Sequence, residues 1–476
     1  MADLKASKLD RLRKSIGGPL AIIVAILVWL TPIPKDLGLV GHQALVLFSG
    51  IFILYLTEAV PLPVTSLAVP PLAVLMGILS PSQSLAPFGS TSLFLMLDAF
   101  VLAAAMIETN LAKRITYYIL SYLGSSTRNI TIGVVLASTI LSFLIPSATA
   151  RVAILLPVCL SIIDLFDKQG RTAFSVNILL TLTLVNSTIA CGILTGVVPN
   201  PITVEYIEKA GGPSISYFEW LKVGFPPSIV ITFFTWAVIQ FLFPPEDKEI
   251  PGGIEFVKKS LTDMGPMLYR EKYALIVFIC IVAMWATGSI TRLNSTIACM
   301  FGTIFLFLPK YGIMSWKDTS KHVSYNVFLI TGGGLVLGNM LMSSGAAKWL
   351  AAKTFAIFGL HSMPVMIVLM VVMFICQFMH FFFVGTTVMA TAILPMIIAL
   401  AVEAGVSPQI FALPAGMVIG GYPVLMFYCT NPNILVYGSG RMNVEDFPKV
   451  GIPVAIFACV VYGICAMTYW KWIGMY

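Results

Sequence analysis

The stretch IPSATARVAILLP, residues 145–157, places a helix-breaking sequence between two long apolar segments. Pro146 disfavours helical backbone at Ile145, and Ser147 and Thr149 can cap a new helix that follows them. The free N–H groups at the start of such a helix, together with the positive end of its dipole, favour a bound anion. Lipid offers no partner for broken backbone. The stretch therefore predicts a hairpin whose tip faces a polar cavity or a bound solute.

The composition surrounding this stretch is that of a membrane protein. Of 476 residues, 58% are hydrophobic and only 10% are charged, whereas a soluble protein carries about a quarter charged residues. Apolar segments of spanning length, with one crossing in each interrupted region, predict an all-α polytopic protein with about eleven transmembrane helices. Basic loops alternate with acidic or uncharged ones, so the positive-inside rule predicts a cytoplasmic N-terminus and a C-terminus outside. We expect a multi-pass protein of the cytoplasmic membrane.

The sequence lacks the residues that several classes of function require. The net charge of +7 comes from short loops, which indicates membrane orientation rather than nucleic-acid binding. The eight cysteines form no CxxC pair, and the four histidines are scattered, so the sequence predicts no metal site. There is no P-loop and no nucleotide fingerprint, and Ser147 has no histidine nearby in sequence. We therefore expect no cofactor and no enzymatic activity.

The two halves of the chain resemble each other. The matches run in the same order, between segments beginning at Phe94 and Phe328 (234 apart), segments ending at Pro157 and Pro395 (238 apart), and the pairs Pro199-Asn200 and Pro432-Asn433 (233 apart). Each copy should hold five crossings, an odd number, so the second copy enters from the opposite side. Inverted repeats with interrupted segments at matching positions indicate a secondary transporter with its site near the bilayer midplane.

This repeat predicts the domain organisation. Each repeat should contain a re-entrant hairpin followed by a broken helix. The predicted segments are an N-terminal basic segment and first helix at 1–36, repeat 1 at 37–243 with its hairpin at about 130–168 and its broken helix at about 174–210, a cytoplasmic linker at 244–271, and repeat 2 at 272–476 with its hairpin at about 363–403 and its broken helix at about 408–438.

The tips and the broken helices supply the polar groups of a candidate site. Hydroxyls and amides there can donate to a carboxylate, although hydrogen bonding between helices is an equally good reading of any one of them. His380, which stands among phenylalanines, also fits a hydrogen-bonded core residue. The candidate substrate-binding residues are Ser147, Ala148, Thr149, Arg151, Asn200, His380, Gly385, Thr386, Thr387, Thr430, Asn431, Pro432 and Asn433.

Arg151 is the most informative of these residues. It lies in the first turn after the tip, where a cation opposes the helix dipole, and at membrane depth, where an unpaired charge costs at least about 2.5 kcal/mol. Both penalties call for an anion. One reading is a structural salt bridge with Asp98, Glu58 or Glu108; the other is a substrate carboxylate, which a guanidinium binds in bidentate fashion.

At these residues the sequence resembles the divalent anion/sodium symporter family over nearly the whole chain. The Ser-x-Thr-Ala-Arg form of the first tip is similar to its exchanger branch, which includes bacterial citrate/succinate antiporters and plastid 2-oxoglutarate/malate translocators. The resemblance implies a homodimer in which a scaffold domain holds an elevator-type transport domain with both hairpins. The asparagines that sodium-dependent relatives carry at both tips are Ala148 and Thr386 here, which argues against sodium coupling.

The resemblance, together with the residues at the tips, implies a sodium-independent antiporter of C4 and C5 dicarboxylates such as succinate, malate and 2-oxoglutarate. Arg151 and His380 would supply fixed positive charge in place of sodium ions. A sodium-coupled dicarboxylate symporter is the nearest alternative, and an intramembrane enzyme or an anion channel is more distant. Citrate, sulfate and phosphate stay open as substrates.

Overall fold

The computed structural model describes residues 8–123, 126–165, 170–250, 252–383 and 385–476. These ranges are built of helices and contain no strand, only an isolated bridge between Ser126 and Glu249. Within them, ten helices are long and apolar enough to cross a membrane. The prediction of an all-α membrane protein is therefore confirmed. The start of the predicted N-terminal basic segment and the predicted end of the first hairpin at 168 lie outside the described residues.

The helices are numbered here in chain order. The first half contains α1 (Lys8–Trp29), α2 (Gly38–Thr57), α3 (Leu62–Leu75), α4 (Pro81–Leu85), α5 (Thr91–Glu108), α6 (Leu111–Leu123), α7 (Thr127–Leu144), α8 (Ala148–Asp164), α9 (Ala173–Leu180), a π-helical segment (Thr181–Val185), α10 (Asn186–Ala190), α11 (Pro199–Lys209) and α12 (Tyr217–Leu242). The second half contains α13 (Gly253–Asp263), α14 (Tyr269–Thr291), α15 (Ser295–Ile304), α16 (Trp316–His322), α17 (Tyr325–Ser343), α18 (Ala346–Phe358), α19 (Val365–Met379), α20 (Thr386–Glu403), α21 (Pro408–Gly421), α22 (Asn431–Tyr437), α23 (Asp446–Met467) and α24 (Tyr469–Trp472).

The helices repeat in order and exchange partners between the two halves. Helices α2 to α12 correspond to α14 to α23, with α9 and α10 together corresponding to α21. Helix α3 packs against α17, and its counterpart α15 packs against α5, which is the counterpart of α17. Helices α12 and α23, which are each other's counterparts, pack together. This reciprocal packing is what two inverted copies produce.

Each repeat contains a hairpin of two helices. In the first, α7 and α8 are separated by a break at 145–147, and the Ser147 hydroxyl caps α8 by accepting from the Ala150 N–H at 3.2 Å. In the second, α19 and α20 are separated at 380–385, and Gly385 precedes α20 with a φ of +138°. This φ is one that L side chains rarely adopt, which explains a glycine at the second tip.

The broken helices form the centre of the molecule. Of the residues between Ala173 and Ala190, 94% are buried, against 11% between Leu12 and Trp29, so α1 lies at the periphery. Breaks at 191–198 and 422–430 leave backbone carbonyls without helical partners. An asparagine amide from the next helix satisfies them in each repeat. Asn200 donates to the carbonyls of Ala190, Cys191 and Ile193, and Asn433 donates to those of Pro423 and Met426.

The linker between the repeats is fastened to both of them. Helix α13 packs against α6, and Arg114 of α6 donates to Glu271 Oε1 at 2.7 Å and to the Gly265 carbonyl at 2.8 Å. Near the linker, the fully buried carboxylate of Asp446 accepts from Arg171 Nη2 at 2.8 Å. This bond raises the pKa of Arg171 above its ordinary value. These pairs hold the two repeats together at the face predicted to be cytoplasmic.

Candidate functional site

The hairpin ends and the breaks of the broken helices gather in one place, which we call the tip–break cluster. In the first repeat, Arg151 Nη1 donates to the Gly196 carbonyl at 3.0 Å. In the second, the Cys429 thiol donates to the His380 carbonyl at 3.2 Å. The two repeats are joined because Thr183 donates its hydroxyl to Asn433 Oδ1 at 2.6 Å. These bonds connect each hairpin end to the break of its own repeat, and they connect the broken helix of one repeat to that of the other.

The helices that leave the breaks cross to the other repeat. Helix α22 packs against α8 of the first hairpin, and α11 packs against α20 of the second. On α11, the Tyr206 hydroxyl lies 3.2 Å from the carbonyl oxygens of Thr391 and Gly334. Gly338 makes this approach possible, because a Cβ there would lie 2.0 Å from the Tyr206 hydroxyl oxygen. Each hairpin is therefore supported by the opposite half of the chain.

Arg151 is completely buried at the centre of the first tip. Its Nε donates to Asn186 Oδ1 at 2.6 Å, and its Nη2 donates to the Asn186 carbonyl at 3.3 Å. Its Nη1 donates to the carbonyls of Ile145 and Gly196. The guanidinium thus ties the tip to the first broken helix, and every partner that it has there is neutral.

The salt-bridge reading of Arg151 is wrong in this structure. Among the described residues Arg151 forms no ion pair; Glu58 lies 3.7 Å from Arg13, and Glu108 lies 2.6 Å from His322. Asp98 lies on α5 with its Oδ2 buried and unpartnered. The tip backbone lies against the guanidinium, so backbone carbonyls and not a carboxylate accept its hydrogen bonds.

His380 lies inside the tip–break cluster and is 1% exposed. Its Nδ1 is 3.1 Å from the Cys376 carbonyl oxygen, and its Nε2 is 3.1 Å from that of Ile419. Both carbonyls belong to the last turns of helices, α19 and α21, where carbonyls have no N–H partner within the helix. A neutral ring can donate to one of them, whereas the imidazolium donates to both. The two helix C-termini favour a positive charge there, whereas the burial of the ring disfavours it.

The remaining candidates divide into an accessible group and an interior group. The half-buried residues at the tips and the second break are Ser147, Ala148, Thr149, Gly385, Thr386, Thr387 and Thr430, with Asn431 more exposed. Within the described residues, the hydroxyls of four of these make no hydrogen bond: Thr149, Thr386, Thr387 and Thr430. They are free to donate to a carboxylate. Asn200, Pro432 and Asn433 are buried, and both asparagine amides turn toward the broken helices instead.

The spaces beside α5 are unequal. Between the tip and α5, a void of 10 Å³ is lined by Pro146, Thr195 and Met96, among others, and this is about the volume of one water molecule. A larger cavity of 540 Å³ lies between α11 and the start of α5, and it is lined in part by Glu205, Glu208 and Lys209. The first tip is therefore closed against α5 in this conformation. In the described part of the chain, no group of three or more His, Cys, Asp or Glu could hold a metal ion.

Two residues of the tip–break cluster were not predicted. Asn186 binds the Arg151 guanidinium, and Thr183 bonds to Asn433 across the repeats. Both lie in TLTLVNST, residues 181–188, where polar residues recur inside a buried apolar helix. That recurrence, in a segment with no solvent-facing role, is the signal that could have identified them.

Known proteins resemble this chain along nearly its whole length. The family described as "Sodium:sulfate symporter transmembrane region" matches residues 14–476. A sodium-dependent dicarboxylate transporter of Staphylococcus saprophyticus is 30% identical over 481 residues, covering 96% of this chain and 91% of the relative. Its Staphylococcus aureus counterpart is 30% identical over 469 residues, covering 94% and 88%. A membrane protein of Cupriavidus necator is 29% identical over 477 residues, covering 96% and 93%.

A solved structure has the same fold. The crystal structure of the Alcanivorax borkumensis YdaH transporter matches 98% of both chains with a TM-score of 0.52. Its sequence identity is 12%, so this likeness concerns the arrangement of helices.

Proposed function

The chain belongs to the family of the sodium:sulfate symporter transmembrane region, and from this premise we propose that it exchanges C4 and C5 dicarboxylates without sodium. Succinate, malate and 2-oxoglutarate are the substrates that we expect. One observation carries the proposal: Arg151, a fixed cation at the first tip, is surrounded by neutral partners alone.

The place that Arg151 occupies is suited to a cation. The carbonyl oxygens of Ile145 and Gly196 both point at its Nη1, and unwound carbonyls at such breaks coordinate the coupling ions of secondary transporters. Here the guanidinium fills the space between these carbonyls. His380, set between two helix C-termini, can supply a second positive charge in the other repeat. A dicarboxylate held by the free hydroxyls at the tips would balance these charges.

Exchange follows from this fixed charge. A loaded carrier is electrically balanced, whereas an empty one retains the uncompensated charge of Arg151. Moving a buried uncompensated charge through the membrane costs several kcal/mol by most estimates, so the empty carrier seldom reorients. In the elevator mechanism that we propose, the tip–break cluster moves against the scaffold only when a dianion is bound.

A sodium-coupled dicarboxylate symporter is the second candidate. The names of the two Staphylococcus relatives favour it. Backbone carbonyls can bind sodium without the tip asparagines, so the substitutions at Ala148 and Thr386 do not exclude it. If the protein is such a symporter, sodium is transported together with the dicarboxylate, and Arg151 has only a structural role at the tip.

Proteoliposomes containing the purified protein distinguish the two candidates. We expect succinate uptake to require an internal dicarboxylate and to be the same with and without sodium, because the protein itself carries the counter-charge. Vesicles loaded with succinate, malate, 2-oxoglutarate, citrate or sulfate give the substrate range. Sodium-driven uptake into vesicles without internal substrate would establish the symporter instead.

The remaining proposals concern the setting of the protein. We propose a homodimer in the bacterial inner membrane, with the N-terminus in the cytoplasm and the C-terminus outside. The basic loops and the odd number of crossings predicted from the sequence support this orientation.

A further inference from the structure

Asn186 binds Arg151 and the first hairpin tip at the same time. Its Oδ1 accepts from Arg151 Nε at 2.6 Å, and its carbonyl accepts from Nη2 at 3.3 Å. Its Nδ2 donates to the Ala148 carbonyl at 3.1 Å. One side-chain amide thus uses both its acceptor and its donor to connect the guanidinium, the tip and the first broken helix.

The position of Asn186 depends on the π-helical segment before it. Residues Thr181–Val185 form this segment, and Asn186 is the first residue of α10. A π-helical turn holds one more residue than an α-helical turn, and such turns are frequent at functional sites. The same segment carries Thr183, which bonds to Asn433 of the other repeat. The extra residue therefore allows one short segment to reach both halves of the tip–break cluster.

We propose that Asn186 is the positioning residue for Arg151, and that its neutral amide keeps the guanidinium both oriented and electrically uncompensated. This inference rests on the proposed function, since it identifies the residue that makes exchange obligatory. A carboxylate at this position would orient the guanidinium equally well but would cancel its charge. An amide orients it and leaves the charge for the substrate.

The substitution Asn186→Asp tests this proposal with almost no change in shape, and it replaces the donor to the Ala148 carbonyl with an acceptor. The guanidinium 2.6 Å away favours the ionised carboxylate, so the empty carrier becomes neutral and can reorient. The assay compares succinate efflux from proteoliposomes into buffer without substrate and into buffer with succinate. In the wild type, we expect efflux into buffer without substrate to be far slower than efflux into buffer with succinate. We call the first rate divided by the second the efflux ratio. In Asn186→Asp, we expect the efflux ratio to rise by at least about tenfold.

Asn177 provides a matched control in the same broken helix. It is fully buried, accepts from Gln240 Nε2 at 3.0 Å and donates to the Phe243 carbonyl at 2.8 Å. Asn177→Asp introduces the same buried carboxyl group away from the guanidinium, where no cation favours its ionised form. Its efflux ratio should equal that of the wild type. A rise of the same size in both variants would overturn the proposal, because it would show that any buried carboxyl group in this helix loosens the carrier.

A neutral variant keeps the proposal testable should Asn186→Asp fail to fold. Asn186→Ser loses the side-chain contacts to Arg151 and Ala148, keeps the backbone carbonyl that accepts from Nη2 and adds no charge, so we expect a raised KM for exchange with the efflux ratio unchanged. An unchanged KM and rate in Asn186→Ser would overturn the positioning role. A wild-type protein that is itself sodium-driven would overturn the proposed function, whereas an exchanging wild type with an unchanged ratio in Asn186→Asp would overturn this inference alone.

Discussion

For Arg151, the sequence predicted the burial of the side chain but not the identity of its partners. Its burial between apolar segments was evident from the order of residue types, and the cost of a bare charge in the membrane indicated a special partner. The partners proved to be the carbonyls of Ile145 and Gly196 and the amide of Asn186. Because every residue has a backbone carbonyl, the type of a residue does not indicate that its carbonyl will bind the guanidinium. Asn200 turned inward for a related reason, because the carbonyls of its own break needed a donor.

Substituting Arg151 tests its role directly. Arg151→Ala removes the positive charge and leaves its buried carbonyl partners unpaired, so we expect dicarboxylate exchange to fall by at least about tenfold. Arg151→Lys keeps the charge but not the planar set of donors, and it should recover only part of the rate. Exchange in proteoliposomes is the measurement, with monodispersity on size exclusion as the check on folding.

Arg128 is the control for this substitution, because it is an exposed arginine at the start of the same hairpin, with its guanidinium 5.2 Å from the Trp236 ring. Arg128→Ala should exchange at the wild-type rate. Wild-type exchange by Arg151→Ala would reduce Arg151 to a structural support.

The hairpins and broken helices are predictable as elements because their interruptions have local causes. Proline, glycine and asparagine mark them in the sequence, and the two copies mark them twice. The π-helical segment at 181–185 was not predictable in this way. It lies inside a continuous helix and contains no breaking residue, so only tertiary contacts show where the extra residue falls.

Gly385 allows a test of the second tip as an element. Its φ is +138°, and a Cβ there would have nothing within 4 Å, so Gly385→Ala introduces backbone strain without a clash. This strain costs about 1–3 kcal/mol. We expect the initial rate of exchange to fall by about tenfold, since 1.4 kcal/mol corresponds to that factor.

Gly89 gives the comparison, because a Cβ there also meets nothing within 4 Å and its φ is not positive. Gly89→Ala should leave the rate unchanged. If Gly385→Ala exchanges as fast as Gly89→Ala does, the geometry of the second tip does not limit transport.

In the whole molecule, the packing around the two hairpins differs more than the repeat in the sequence suggests. Helix α20 of the second hairpin packs against α17 and α18. The corresponding face of α8 borders a cavity of 330 Å³, which is lined by Ile154 and Pro157 on one side and by Met106, Lys113 and Tyr117 on the other. The repeats predicted two equivalent hairpins, and the sequence contains nothing to say which of them is engaged in a given state. An inverted repeat permits a second state in which the roles of the two hairpins are exchanged.

This asymmetry predicts that the cavity beside α8 closes during transport. Ile154→Trp places a bulky ring in the open space, so the present conformation is accommodated and the closed one is not. We expect dicarboxylate to bind, seen as stabilisation against thermal unfolding, while exchange falls by at least about tenfold. Val230→Trp, at a position on α12 that is 52% exposed, adds the same ring outside the cavity and should exchange normally. Full activity in Ile154→Trp would mean that α8 never approaches α5 and α6, and that the two hairpins do not exchange roles.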